Sequence, residues 1–331
     1  MILKSAQYLY GFGSGLKNKL YDRNYIKKIK LDVSVISVGN LSVGGTGKTP
    51  CVEMLVSEIS KLDRFKKIVI VSRSYKAGLR KPSKVDLKNP EAVSLFGDEP
   101  CLLQTILPHC SVWSGPSKSQ TALAAMADRP DLIIVDDGFS HRKLARNFDL
   151  VLIDATAPFN YFQQLPVGRL REPLSQLARA QAVLITRTNL VDVSKIEKIK
   201  QLILKSAPKL IDSIYQSESL TVVPGVNPGS ELFVFCGLGN PKSFKASLEA
   251  LGYKVTVFKE FPDHYQYSNS DLDMILAEFD VRPGLKLVTT EKDLIKIKGH
   301  ALLDSVCVAK NKIEITQNKK GDLIEKICKS F

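Results

Sequence analysis

Short apolar runs alternate with longer stretches of helical periodicity along the chain from residue 32 onward. Each run is bounded by polar or turn-forming residues, and the stretch that follows it repeats its apolar residues at helical spacing. This alternation is typical of parallel β-strands joined by crossover helices. The predicted strands are residues 33–38, 67–72, 111–114, 132–136, 150–154 and 182–186.

These elements predict an α/β fold with a doubly wound, mainly parallel sheet. Ligands of such sheets bind beyond the carboxyl ends of the strands, so the residues directly after each run are the candidates for function. Composition shifts to Ser, Val, Pro and Gly near residues 212–230, and the alternation resumes afterwards on a smaller scale. We expect a core at residues 32–211, a linker at 212–230 and a smaller α/β domain at 231–331.

Residues 1–31 mix apolar and aromatic residues with seven Lys or Arg residues against one acidic residue. This pattern fits a segment that lies in a membrane interface, where an apolar face and positive charge act together. The residues alone leave a terminal helix packed on its own domain equally open, with a nucleic-acid-binding arm as a third interpretation. Glycines within the segment predict two short helices, and the breaks are expected at Gly11, Gly13 and Gly15.

Composition narrows the class of protein. The 331 residues are 44% hydrophobic and 24% charged, which is ordinary for a globular chain, and the formal net charge is +13. The six cysteines form no C-x-x-C pair, so we expect a reducing, cytoplasmic setting and neither a zinc site nor a disulfide framework. No apolar stretch approaches the ~20 residues that span a bilayer, and a signal-peptide pattern is missing, so we expect neither export nor a transmembrane segment.

A glycine-rich turn follows the first apolar run and leads into a helical stretch. Glycines let backbone N–H groups point inward at phosphate, and a lysine followed by a hydroxyl residue reaches the β/γ-phosphates and Mg²⁺. Lys48 and Thr49 match these two roles, although Ser42 stands where the general motif has its first glycine. The predicted nucleotide-binding residues are Ser42, Val43, Gly44, Gly45, Thr46, Gly47, Lys48 and Thr49.

Two carboxylates end the strand predicted at residues 132–136. A buried strand that ends in aspartate is the pattern that holds Mg²⁺ opposite a phosphate-binding loop. Alone the pattern is common, but together with the upstream Gly-Lys-Thr it becomes specific. We therefore predict that Asp137 or Asp136 ligates the metal, together with Thr49, and the sequence leaves open which aspartate makes direct contact.

Three further charged residues occupy loops near predicted strand ends. Arg73 follows the second strand, His141 follows the paired aspartates, and Arg171 lies in a loop marked by Pro and Gly. Arginines at this face would suit an anionic substrate group. A surface position or loop packing explains each of the three at least about as well.

Asp98 and Glu99 precede Pro100 at the start of a predicted helix. Carboxylates in a first helical turn favour the helix dipole, so capping alone accounts for this motif. In the smaller domain His264 follows Asp263 on a loop, where it is either an oriented proton handler or a surface residue.

Together and in this order, the motifs resemble those of the tetraacyldisaccharide 4'-kinase family of Gram-negative envelope biosynthesis. The likeness runs from the amino terminus to about residue 298, and that family also has Ser or Thr at the position of Ser42. Ser74 and Ser140 depart from the family pattern, which has Gly and Gln there, and the departures bear on the shape of the substrate pocket. The motifs are Gly-Asn-Leu-Ser-Val-Gly-Gly-Thr-Gly-Lys-Thr-Pro, Ser-Arg-x-Tyr, Gly-Asp-Glu-Pro, Asp-Asp-Gly-Phe-x-His-Arg, Leu-Arg-Glu-Pro, Phe-Pro-Asp-His and Thr-Thr-Glu-Lys-Asp.

The resemblance implies a kinase that transfers the ATP γ-phosphoryl group to the 4'-hydroxyl of a tetraacylated glucosamine disaccharide 1-phosphate in lipid A biosynthesis. It implies Mg²⁺ as cofactor, Asp98 as catalytic carboxylate with His264 as its partner, and Lys48 as the phosphate-binding cation. It favours the membrane interpretation of residues 1–31, as a peripheral protein on the cytoplasmic face of the bacterial inner membrane. Substrate contacts are expected from Arg73, Glu99, His141 and Arg171.

Two other functions remain to be separated from this one. A nucleotide-dependent switch at the membrane surface would recruit a partner without phosphoryl transfer, but Arg187-Thr188-Asn189 does not match the Asn-Lys-x-Asp of GTP-type switches. A nucleic-acid kinase would use the positive charge and would show steep salt dependence of polynucleotide binding. We rank it last and expect no nucleic-acid partner, because aromatic residues in the basic segment suit a bilayer equally well.

Overall fold

The structure is a computed structural model that describes residues 2–74, 77–297 and 299–331. Within these residues the strands form a single sheet of twelve strands, and the predicted α/β class is confirmed. The strands are β1 Ser34–Asn40, β2 Ile68–Arg73, β3 Ser83–Lys84, β4 Ser111–Gly115, β5 Leu132–Asp136, β6 Phe148–Asp154, β7 Ala182–Thr186, β8 Ile214–Val222, β9 Glu231–Cys236, β10 Lys254–Glu260, β11 Lys286–Thr290 and β12 Val306–Ile315.

Helices cover both faces of the sheet, as crossover connections between parallel strands require. In this arrangement both faces of each strand are buried, so the sequence of each strand is a continuous run of apolar residues. The strands could be located from the sequence for this reason. The α-helices are α1 Ile2–Asp22, α2 Lys48–Ser60, α3 Ala92–Phe96, α4 Asp98–Ile106, α5 Lys118–Ala125, α6 Val193–Ser206, α7 Pro241–Ala250, α8 Asn269–Asp280, α9 Glu291–Leu294 and α10 Lys320–Cys328.

The strand order is β10-β9-β11-β12-β8-β7-β6-β1-β5-β2-β4-β3. Among the described strands the neighbours are parallel except for β12 with β8 and β3 with β4. Strand β1 lies between β5 and β6, and the strands that come later in the chain lie on both sides of it. The loops after β1 and β5 meet at this switch point, where a doubly wound sheet binds its ligand.

The first helix differs from the prediction. Residues Ile2–Asp22 form one continuous helix, so the expected breaks at glycine are wrong. Glycine costs a helix only about 1 kcal/mol relative to alanine, and tertiary contacts can offset that cost. The helix passes close to the loop that carries Gln164, whose Oε1 would lie 2.9 Å from a Cβ built on Gly11.

The carboxyl end of α1 is tied to the core through Arg142, which is buried. Its guanidinium donates to the backbone and side-chain oxygens of Asn18 at 2.9 and 3.1 Å, and pairs with Asp22. The same group lies 5.2 Å from the centre of the Tyr21 ring. These contacts fix the last turns of α1 beside the loop that follows β5.

The carboxyl-terminal part forms a smaller unit built on β10, β9, β11 and β12. The segment predicted as a linker is a strand in its first half, because residues 214–222 form β8, which pairs with β7 on one side and with β12 on the other. Helix α10 returns to pack against α2, and Leu323 and Ile327 join the apolar cluster of the core. We propose to keep the division into a core and a second unit, residues 231–315, with α10 counted as part of the core.

Candidate active site

The loop between β1 and α2 has the shape of a phosphate-binding loop. Gly44 and Gly47 have φ angles of +114° and +87°, in the left-handed region that favours glycine. Asn40 Nδ2 donates to Thr46 Oγ1 at 3.0 Å, and this buried hydrogen bond stabilises the turn. Lys48 and Thr49 are the first residues of α2, so the amino terminus of this helix faces the loop's concave side.

Contacts from two other segments hold the loop in place. Val43 N donates to Arg169 O at 2.9 Å, and Thr186 Oγ1 donates to Thr46 O at 3.1 Å. Arg187, directly after β7, donates to Gly45 O at 3.0 Å and pairs with a carboxylate at the end of β6. Sequence reasoning missed the structural role of Arg187, although its position just past a predicted strand was the available signal.

Three positively charged side chains surround the carboxylate of Asp137. Arg171 donates to both of its carboxylate oxygens at 2.7 and 3.0 Å, and the Lys48 and Lys118 ammonium groups lie 3.9 and 3.6 Å away. Burial alone raises the pKa of Asp137, but the nearby charges of Lys48 and Lys118 and the Arg171 hydrogen bond hold it well below its ordinary value. Asp137 is therefore an anion that already concentrates positive charge beside the phosphate loop.

Lys118 is a site residue that sequence reasoning missed. It begins α5 just past β4, and it is buried, with its ammonium group 2.5 Å from the Asp137 carbonyl oxygen. Burial lowers its pKa, although the two neighbouring aspartates act in the opposite direction. Nothing in the local sequence distinguishes this lysine from the other lysines of the chain, because its role depends on β4 lying two strands from β5.

Asp136 has one satisfied and one unsatisfied oxygen. Ser72 Oγ donates to Oδ2 at 3.0 Å, whereas Oδ1 is buried and has no hydrogen-bond partner among the described residues. Burial and then the charge of Glu99 raise the pKa of Asp136. A buried carboxylate oxygen without a partner is costly, and a cation at this point would satisfy it.

The donor set at this point fits Mg²⁺. Thr49, Asp136 and Asp137 line the same cleft, and carboxylate and hydroxyl oxygens are hard ligands of the kind that Mg²⁺ takes. Among the described residues no group of three or more His, Cys, Asp or Glu side chains could hold a metal ion alone. Mg²⁺ is usually held by one or two carboxylates together with phosphate oxygens and water.

Asp98 and His264 come together across the two units. Asp98 is the first residue of α4 in the core, and His264 lies on the loop between β10 and α8 with a left-handed φ of +63°. His264 Nδ1 lies 2.7 Å from Asp98 Oδ2, while Asp98 Oδ1 accepts the backbone N–H of Glu99 at 3.0 Å. Capping alone, which the sequence also allowed, does not account for a contact with the other unit.

The surroundings of Asp98 keep it ionised. Burial favours its neutral form, but the hydrogen bond from His264 and the charges of Lys292 and Lys296 lower the pKa of Asp98 to about 2. An ionised carboxylate only accepts hydrogen bonds, so the proton of the contact lies on His264 Nδ1 and Nε2 is the other ring nitrogen. Nε2 is 3.8 Å from Asp263 Oδ2.

A cleft of about 480 Å³ runs between the two units. Lys48, Thr49, Asp136 and Asp137 line its core side, and His264 and Lys292 line its other side. Of the predicted substrate-binding residues, those that border this cleft are Arg73, Glu99 and Arg171.

His141 does not border the cleft among the described residues. Its Nε2 accepts the backbone N–H of Ser119, at the start of α5, at 3.2 Å. Burial, followed by the charges of Lys118 and Arg146, lowers the pKa of His141 to about 4, so the ring is neutral at physiological pH. Tyr75, which ends the Ser-Arg-Ser-Tyr motif, lies outside the described residues.

A second cavity, of about 560 Å³, also opens on the phosphate loop. Its walls include Tyr161 and Phe162 from the core and Pro241 from α7. A Cβ built on Gly239 would lie 3.6 Å from Gly45 N, an ordinary van der Waals distance, so the second unit reaches the phosphate loop at this point. Both units therefore contribute to the space around the loop.

Comparison with known proteins gives relatives along the whole chain. The tetraacyldisaccharide 4'-kinase of Bdellovibrio bacteriovorus is 34% identical over 335 residues, covering 98% of this chain and 97% of that protein. The tetraacyldisaccharide 4'-kinase of Aquifex aeolicus is 35% identical over 323 residues, covering 95% and 94%. The crystal structure of the "apo" form of LpxK from Aquifex aeolicus in complex with ATP has a TM-score of 0.76 at 31% identity, and all of both chains is covered. The tetraacyldisaccharide-1-P 4'-kinase family model matches residues 1–330, and the chain belongs to this family.

Proposed function

We propose that this kinase carries out its reaction in the cleft between the core and the second unit. The γ-phosphoryl group of ATP would pass to the 4'-hydroxyl of a tetraacylated glucosamine disaccharide 1-phosphate. The observation that carries the proposal is the position of His264, which lines the same cleft as Lys48 and Asp137 from the side of the second unit and contacts Asp98 of the core at 2.7 Å. The two halves have complementary chemistry, because one attracts phosphate and the other accepts a proton.

The donor half is the phosphate loop and its cations. Residues 42–49 supply backbone N–H groups and the amino terminus of α2, which favour phosphate. Lys48, Lys118 and Arg171 surround Asp137 in this structure and are the positive groups available to neutralise phosphate oxygens. Phosphoryl transfer proceeds through a loose transition state, so positioning and neutralisation of charge supply most of the catalysis.

Thr49, Asp136 and Asp137 would hold Mg²⁺. The unsatisfied Oδ1 of buried Asp136 supports this assignment. When bound, the ion would neutralise charge on the phosphates. Ser72, which holds the other oxygen of Asp136 at 3.0 Å, would keep the carboxylate in place for that purpose.

The acceptor half is the pair Asp98 and His264, which takes up the proton of the sugar hydroxyl. The proton leaves late in a loose transition state, so a strongly basic group is not needed and the pair contributes about 10²–10⁴-fold. His264 faces the cleft, and Asp98 behind it fixes the ring orientation and balances the charge that the ring gains. Arg73, Glu99 and Arg171 line the same cleft and are proposed to contact the substrate. His141 would affect the site only indirectly, through its hydrogen bond to the backbone at the start of α5.

Assembly of the site from two units explains how futile hydrolysis of ATP is limited. Asp98 belongs to the core, whereas His264 belongs to the second unit, so the proton-accepting pair exists only when the units are together. Closure that follows binding of both substrates would complete the pair and exclude water.

Helix α1 supports a peripheral location on the cytoplasmic face of the bacterial inner membrane. No helix within the described residues is long and apolar enough to cross a membrane. The exposed large apolar side chains of α1 are Leu3, Tyr8, Leu9, Tyr10, Phe12 and Leu16, and lysines accompany them. An apolar face with flanking positive charge suits the interface of an anionic bilayer, where a glycolipid with four acyl chains would be found.

The direct test is phosphorylation of a tetraacylated disaccharide 1-phosphate in mixed micelles with ATP and Mg²⁺. We expect phosphate transfer by the wild-type protein and a fall in kcat of at least about 100-fold in Asp98→Asn, with ATP affinity nearly unchanged. No transfer by folded wild-type protein would refute the proposed function. An equal loss of ATP binding in Asp98→Asn would assign Asp98 to the structure of the donor site instead.

A further inference from the structure

Three groups of the second unit converge on one oxygen of Asp98. His264 Nδ1, Lys296 Nζ and Lys292 Nζ lie 2.7, 3.8 and 3.9 Å from Asp98 Oδ2. Helix α9, which precedes Lys296, packs against α4, which begins at Asp98. The carboxylate is thus a core residue whose positively charged neighbours belong to the opposite unit.

The two lysines differ in their surroundings. Lys292 is 15% exposed, lines the cleft and pairs with Asp263 at 2.8 Å. Lys296 has no exposed side-chain surface, and its second carboxylate partner is Asp293 at 3.4 Å. A fully buried ammonium group is costly to maintain unless carboxylates neutralise it. Lys296 therefore depends on Asp293 within its own unit and on Asp98 across the cleft.

Asp293 is itself held firmly. Its Oδ2 accepts the backbone N–H of Gly237 at 3.0 Å and the Thr290 hydroxyl at 2.7 Å. Gly237 directly follows β9, and Thr290 ends the neighbouring strand β11. The Asp293–Lys296 pair is consequently fixed to the carboxyl ends of two adjacent strands, which gives Lys296 a defined position relative to its own sheet.

We propose that Lys296 is a positioning residue for the proton-accepting pair, and that it holds the Asp98 carboxylate ionised and oriented toward His264 when the two units are together. The inference rests on the proposed function of Asp98. Lys296 keeps Asp293 as a partner if the units separate, but it then loses Asp98. The contact therefore favours the closed arrangement as well as the ionised carboxylate.

The charge of Lys296 has a measurable consequence for the pH profile. The charged groups that face Asp98 are His264, Lys292 and Lys296, with Glu99 beside it on α4 and with Asp263 and Asp293 paired to the lysines. A positive charge within about 4–6 Å lowers the pKa of a carboxyl group by about 1–3 units. Because a nearby positive charge disfavours the uptake of a proton, removal of the Lys296 charge favours protonation of the Asp98–His264 pair.

The test is the pH dependence of kcat/KM, measured with ATP, Mg²⁺ and the glycolipid in mixed micelles between pH 4 and 9. The main variant is the double substitution Lys296→Met/Asp293→Asn, because removal of both members of a buried pair leaves no unpaired charge and is often close to neutral for folding. We expect its acid limb to move to higher pH, by less than the ~1–3 units that follow the loss of one positive charge because the negative charge of Asp293 is removed with it, and we expect ATP affinity to be unchanged. A uniform loss of rate without any shift would overturn the proposal and leave Lys296 with a structural role.

Two further variants separate charge from packing. Lys296→Arg retains the positive charge, so its acid limb is expected at the wild-type pH even if the rate is lower, and a limb that moves as in the double variant contradicts the electrostatic role. Lys245→Met breaks a lysine–carboxylate contact with Glu249 at 3.8 Å on the surface of the same unit and should leave the profile unchanged. An inactive wild-type protein would overturn the proposed function itself, which is a different result from an active protein with an unshifted variant.

Discussion

The most direct consequence of an interfacial α1 is that its exposed apolar side chains supply the free energy of membrane binding. Leu9 and Phe12 are three residues apart on one face of the helix and are 75% and 73% exposed. Complete burial of a Leu or Phe side chain is worth about 1.5–3 kcal/mol, so the three quarters that remain to be buried are worth roughly 1–2 kcal/mol each. Replacement of both by serine should therefore cost about 3 kcal/mol of binding, or roughly 100-fold in the partition coefficient.

The assay is co-sedimentation with vesicles that contain anionic phospholipid, at several lipid concentrations. The matched control is Met274→Ser/Val281→Ser, because these residues are 59% and 73% exposed but lie at α8 in the second unit. We expect Leu9→Ser/Phe12→Ser to lose partitioning and to keep its rate on a soluble disaccharide with short acyl chains. If both double variants bind vesicles as the wild type does, the interfacial role of α1 is refuted, whereas equal losses in both would indicate non-specific hydrophobic adsorption.

Three further predictions concern the phosphate loop, the Asp98–His264 pair and the carboxyl end of α1. Gly47→Ala places a side chain at a φ of +87° where the nearest atom is 3.6 Å away, so the cost is backbone strain of about 1–2 kcal/mol, and titration with ATP should show roughly 10-fold weaker binding. Asp98 has a folded pKa of about 2 against an ordinary 3.8, so it contributes about 2 kcal/mol of stability above pH 4 that is lost as the pH falls through 2. Thermal unfolding should therefore show a smaller loss of stability between pH 5 and 3 for Asp98→Asn than for the wild type, and parallel curves would argue against the low pKa. Arg142→Ala removes the buried contacts to Asn18 and Asp22, and amide hydrogen exchange in the last turns of α1 should become at least about 10-fold faster while β1 and β5 stay protected.

The phosphate loop and the sheet could be predicted because their signals are local. Buried parallel strands require continuous apolar runs, and a loop that cradles phosphate requires glycines, a lysine and a hydroxyl within a few residues. The order of the motifs identified the family, and the comparisons confirmed it. The two alternative functions, a nucleotide-dependent switch and a nucleic-acid kinase, have therefore lost their support. The continuity of α1 could not be predicted in the same way, because the glycines favour breaks locally, whereas the contact beside them comes from Gln164, 150 residues further along the chain than Ser14.

The lysines of the site illustrate what the sequence leaves out. Lys118 and Lys296 are two of 47 Lys and Arg residues, and their types give no indication that their side chains are buried beside Asp137 and Asp98. Their roles arise from strand adjacency: α5 follows β4, and α9 follows β11. A lysine becomes part of the site only when the fold has placed the carboxyl ends of these strands on one side of the sheet.

The two aspartates at the centre of the site obtain their positive neighbours from different units, and this division has a mechanistic consequence. Asp137 is neutralised by Lys48, Lys118 and Arg171 of the core, so the donor half is electrostatically complete without the second unit. Asp98 has its ion-pair partners in the second unit, so the acceptor half is complete only when the units meet. Residues of both units line the space around the phosphate loop, but the cations that surround Asp137 belong to the core alone, whereas the proposed proton-accepting pair needs one residue from each unit. If the proposed roles are correct, weaker contacts at Asp98 would slow transfer more than they would weaken ATP binding, because the cations of the phosphate loop do not contact Asp98.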